Sequence, residues 1–80
     1  MKITFEKHGN VDLYRFENRG CDYVLKHHKD VDYLHCYSLV TCRKSNPNGG
    51  SIRSFENLDD LLKIRTSWVN ELVDYVKLKM

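Results

Sequence analysis

Tyr33, His35, Tyr37 and Arg43 are the residues of this chain whose types and spacing bear most directly on chemistry. In a strand, successive side chains point to opposite faces. The odd positions from Tyr33 to Arg43 would therefore share one face. A histidine flanked by tyrosines and an arginine is the minimal equipment of a small ribonuclease: a general acid, a general base and a cation for developing negative charge. No Ser/His/Asp order, paired carboxylates or glycine-rich phosphate loop accompanies them. A lone histidine in a sheet is more often structural, or part of a contact, than catalytic. The chain is accordingly read as non-enzymatic, and a toxin-like ribonuclease centred on His35 is a third reading.

Metal chemistry finds less support. His27, His28, His35 and the three cysteines lack the paired C-x₂₋₄-C and H-x₃₋₅-H spacings of structural zinc sites. His27 and His28 would point to opposite faces of a strand. No metal ligand and no cofactor is assigned. Cys36 and Cys42 stand six residues apart on one expected strand, roughly 20 Å if extended. That exceeds the roughly 7 Å Cα separation a disulfide spans. An odd cysteine count also argues against a disulfide framework, so reduced, mostly buried thiols are expected.

A second chemical signal is electrostatic. No acidic residue lies between Tyr33 and Phe55, and Arg43, Lys44 and Arg53 all fall there, flanking the loop Ser45–Gly50. With Tyr33, Tyr37 and Tyr23 nearby, such a cluster suits base stacking and phosphate contact with a single strand. The strand order is not that of a four-stranded RNA-recognition domain, and no Lys/Arg-Gly-Phe motif occurs. The net charge of +2 is mildly basic. It is far from that of a nucleic-acid-binding arm and excludes a strongly acidic DNA mimic.

These residues must be positioned by one domain, spanning 1–80. A chain of 80 residues buries roughly 60–65% of its unfolded surface, so its core is small. Hydrophobic residues make up 41% and charged residues 30%, a composition ordinary for a soluble globular domain that argues against disorder. No apolar run approaches the roughly 20 residues a membrane helix needs. The N-terminal residues lack the apolar region of a signal peptide. A cytoplasmic protein is expected, with no membrane contact.

Alternation predicts strands at Lys2–Lys7, Val11–Glu17, Cys21–His27, about Val31–Arg43 and Ser51–Phe55. Turns are expected at His8-Gly9-Asn10, at Asn18-Arg19-Gly20 and at His28-Lys29-Asp30. Ser45–Gly50 reads as the strongest loop. The period then changes to helical over 58–78. Asn57 is a suitable N-cap, and Leu58, Leu61, Leu62, Val69, Leu72, Val73 and Val76 form one stripe. Thr66-Ser67 interrupts the pattern and offers a point for a kink or break. The expectation is an α+β domain: an antiparallel meander of four or five strands, with a long C-terminal helix on one face.

Along the fourth strand Leu34, Cys36, Ser38, Val40 and Cys42 are small and mostly apolar, which suits a core. Tyr33, His35, Tyr37, Leu39 and Thr41 are larger and amphipathic, which suits a contact surface. The leading functional expectation is a small protein-binding module using Tyr33, His35 and Tyr37, with Arg43, Lys44 and Arg53 at its rim. Its partner would be a larger protein or ribonucleoprotein complex, or a second copy of the chain as a homodimer. By class-level analogy, such modules include phage or mobile-element accessory proteins that inhibit host defence or nucleic-acid machines, as anti-CRISPR proteins do. The alternative is a nucleic-acid-binding or regulatory domain using Arg43, Lys44 and Arg53.

Overall fold

The computed structural model describes residues 1–29 and 36–79. Five strands form one antiparallel sheet in chain order: β1 (Thr4–His8), β2 (Val11–Asn18), β3 (Cys21–His28), β4 (Tyr37–Arg43) and β5 (Asn46–Phe55). A 3-10 helix (Leu58–Lys63) and the helix α1 (Val69–Lys79) follow and cover one face of the sheet. This is the α+β meander that the alternation predicts.

The turns follow from their residues. Arg19 and Gly20 take φ of 49° and 74°, the left-handed pair that closes a two-residue hairpin with the twist of its strands. The expected loop Ser45–Gly50 is instead mostly strand. The chain turns at Lys44-Ser45 and β5 starts at Asn46. Arg43 pairs with Asn46 but Cys42 pairs with Gly50, so residues 47–49 are extra on β5. Pairing thus continues on both sides of this irregularity, which local turn composition does not reveal. A Cβ at Gly50 would lie 2.8 Å from the Thr41 carbonyl oxygen, so only glycine permits this strand approach.

The predicted 58–78 helix is divided. Asn57 N–H donates to Asp60 Oδ2 at 3.3 Å, which opens the 3-10 turn. Ile64 is extended at its end. The chain resumes as helix when Leu72 N–H donates to Trp68 O at 3.0 Å. The interruption contains Thr66-Ser67, where the sequence offered one. Its consequence is visible at Leu62, expected in the buried stripe but 45% exposed. A 3-10 helix repeats every three residues, so Leu58, Leu61 and Ile64 align inward and Leu62 turns out.

The core is built from Tyr14, Phe16, Leu25, Tyr37 and Leu39 of the sheet against Leu58, Leu61, Trp68, Val69, Leu72, Val73 and Val76. Apart from Tyr37, its aromatic rings fall in two groups. Phe16 and Tyr23 stack at 4.9 Å, each with Trp68 tilted against it. Tyr14 meets Phe5 at 5.2 Å and Tyr75 edge-on at 6.1 Å. The two groups seat Trp68 and, through Tyr75, α1 beneath β1, β2 and β3. Ion pairs from the Met1 amino group to Glu71 and from Lys77 to Asp59 tie the outer ends of this layer.

Candidate interaction surface

The register decides which face of β4 is wet, and it reverses the expectation. Tyr37 pairs with His27, Leu39 with Leu25 and Thr41 with Tyr23. Those partners share a face with Tyr14 and Phe16. That face carries the greater apolar area, so it takes the helical layer. Tyr37 is 5% exposed and Leu39 4%. Ser38, Val40 and Cys42, expected inside, lie on the opposite face. Tyr33 and His35 fall outside the described residues, as does Leu34.

Tyr37 stacks on His27 with ring centroids 4.3 Å apart and planes 12° apart. Across β2 the cross-strand neighbour of His27 is Asp12. The Asp12 carboxylate is buried and pairs with Lys29 Nζ at 2.7 Å. Asp12 Oδ1, Tyr14 Oη and His27 Nδ1 are buried without hydrogen-bond partners among the described residues. An unsatisfied buried polar atom costs about 1–3 kcal/mol, so these groups oppose the stability of this corner of the core. Burial, and next the Asp12 charge, push the Tyr14 phenol up to about 12. Burial also holds the His27 imidazole below its usual range, against the opposing pull of Asp12. Sequence reading passed over Asp12 and Tyr14 as a polar pair because only the β2–β3 register brings His27 beside them.

Among the described residues no element lies on the other sheet face. Its rows follow from the register. Thr4, Arg15, Val24, Val40 and Ile52 align in one row, and Glu6, Leu13, Lys26, Ser38 and Ser54 in the next. Val24, Val40 and Ile52 form a β-branched apolar track with charged residues beyond it, and the track ends at the sheet edge. Ile52 is 70% exposed. Ser51, Arg53 and Ser54 beside it are exposed as well.

The expected basic trio does not assemble. Arg43 and Lys44 sit at the β4–β5 turn, and Lys44 N–H donates to Gly20 O at 3.0 Å, joining that turn to the β2–β3 turn. Lys44 Nζ is engaged by Glu17 at 2.6 Å, and this hydrogen bond raises the Lys44 pKa. Arg53 pairs in register with Leu39, well along the strand, and borders a groove with Glu56 and Asp60. Two arginines that sequence reading missed join Arg43 instead. Arg19 borders one groove with Arg43 and Lys44, and a second with Arg65, Tyr23 and Trp68. Arg19, Arg43 and Arg65 make no ion pair among the described residues.

The three cysteines carry partly buried thiols. No cluster of three or more histidine, cysteine or carboxylate side chains among the described residues is arranged to hold a metal ion. No described helix is long and apolar enough to cross a membrane. No protein-family model, curated protein or solved structure matches this chain.

Proposed function

We propose that this protein is a small non-enzymatic binding module that docks on a larger protein through the open face of its sheet. The track Val24–Val40–Ile52, ending in a side chain 70% exposed at the sheet edge, carries this reading. An apolar centre with a charged margin is the anatomy of a protein contact. Arg15 and Lys26 on one side, and Asp22 on the other, supply that margin. A domain this small suits stoichiometric binding. The finer form of the proposal is a phage or mobile-element accessory protein that blocks a host defence or nucleic-acid machine.

The test is capture from host lysate with wild-type bait and with a Val40→Lys bait, compared by quantitative mass spectrometry. A specific partner should be depleted at least about tenfold on the variant, since a charge at a contact centre costs more than about 1.4 kcal/mol. Unchanged melting of the variant shows that the fold is intact. A partner captured equally by both baits would place the contact elsewhere.

Arg19 and Arg65 beside Tyr23, with Arg43 next to Arg19, make no ion pair among the described residues and favour a second reading, single-stranded nucleic-acid binding at that end of the sheet. It requires affinity for RNA or DNA tighter than about 1 μM at physiological salt. Arg19→Ala with Arg43→Ala should then weaken binding to all sequences and flatten its salt dependence. Such a result would displace the docking proposal.

A further inference from the structure

The two edges of the sheet differ in a way that bears on self-association. β1 carries Glu6, Lys7 and His8 within five residues, and charge on an edge strand opposes pairing with another chain. β5 has ten residues with Arg53 as its sole charge. Ser51, Ile52, Arg53 and Ser54 stand exposed in succession along it. Among the described residues no strand pairs with its outer side, so its outer backbone donors and acceptors form a template for one more strand.

We infer that β5 pairs antiparallel with β5 of a second copy, about a two-fold axis at Ile52, making a continuous ten-stranded sheet. The axis position follows from the side chains. An axis at Arg53 would set two guanidinium groups directly opposite, which destabilises a strand pair. An axis at Ser51 would set Ile52 against Gly50, which has no side chain to meet it. An axis at Ile52 sets isoleucine against isoleucine and Arg53 of each copy against Ser51 of the other. Like charges are then nowhere opposed over Gly50–Ser54. The arrangement also joins two apolar tracks end to end. Val24, Val40 and Ile52 of one copy continue into Ile52, Val40 and Val24 of the other, on the same open face. Such an interface is self-complementary, as two-fold symmetry demands. The helical layers of both copies lie together on the opposite face.

The inference shares Ile52 with the proposed docking face but does not need a third protein. Sedimentation velocity of the full chain from about 1 μM to about 1 mM, the range in which weak dimers populate, should show a reversible monomer–dimer equilibrium. Ile52→Lys puts two ammonium groups at the axis and should abolish the dimer. Ser51→Lys sets lysine against Arg53 of the other copy and should weaken it about threefold or more. Adding Arg53→Glu to Ser51→Lys restores opposite charges in that register and should recover the dimer. Circular dichroism melting confirms that each variant is folded. A monomer throughout the range overturns the inference, as does a dimer indifferent to Ile52→Lys or not rescued by the charge swap. A strictly monomeric protein that still loses its partner with Val40→Lys would overturn this inference alone and leave the docking proposal standing.

Discussion

Tyr37 carries the sharpest consequence at the scale of single residues. Had it stood on a wet face, truncation would remove a contact and spare the fold. It is buried and stacked on His27, so Tyr37→Ala should cost about 3–5 kcal/mol, the range for large aromatic truncations in cores. Urea unfolding measures this, and a loss under about 1 kcal/mol would mean that the side chain is not in the core. His27 gives a prediction in pH. Burial lowers its pKa from 6.5, so the unfolded chain binds a proton that the folded chain resists. Stability therefore rises with pH across the window between the lowered folded value and 6.5, and is lost on acidification through it. His27→Gln should flatten that part of the stability–pH curve. An unchanged slope would assign the acid sensitivity to other groups.

Elements differ in how strictly the local pattern governs them. The 3-10 and α segments share one apolar stripe, but their periods select different residues. Leu61→Ala and Leu72→Ala should each cost about 2–5 kcal/mol, since both side chains are fully buried. Leu62→Ala should stay within about 0.5 kcal/mol, as an exposed substitution does. A continuous α-helix would bury Leu62 and make all three costly, so the comparison reports the helix period directly. In the β4–β5 pair, Gly50→Ala should strain the hairpin, because its Cβ meets the Thr41 carbonyl at 2.8 Å.

For the whole molecule, the sheet order sets the gradient of stability. Among the described residues β2, β3 and β4 each pair on both sides, whereas β1 and β5 pair on one. Amide exchange should therefore be slowest in β3 around Leu25, which is fully buried, and faster on the outward side of β1. Protection along Ser51–Ser54 should rise with protein concentration if the edge pairs with a second copy, while β1 stays unchanged. Exchange measured by nuclear magnetic resonance at two concentrations reads both edges in one experiment.

Alternation and helical period were enough to show, from the sequence by itself, the meander, its first two hairpin turns and most of the apolar stripe from Leu58 to Val76, though not the start of β5 or the exposure of Leu62. These are properties of near neighbours, and near neighbours determine strand direction, turn geometry and amphipathic period. The same pattern marked Thr66-Ser67 as a point for a kink or break but did not decide that the long helix divides into a 3-10 helix and α1. The direction each face looks was not. In β2 both Tyr14-Phe16 and Val11-Leu13 are apolar, and in β4 Tyr37 and Leu39 on one face compete with Val40 and Cys42 on the other for the core. Which set goes inward depends on the summed area of five paired strands, and a slip of one residue in register would exchange every side chain. Only the tertiary structure therefore decided that Tyr37 belongs to the core and Val40 to the surface. The same register placed His27 beside Asp12 and aligned Val24, Val40 and Ile52. It also brought Arg19 and Arg65 to the end of the sheet that holds Arg43, and left Arg53 apart.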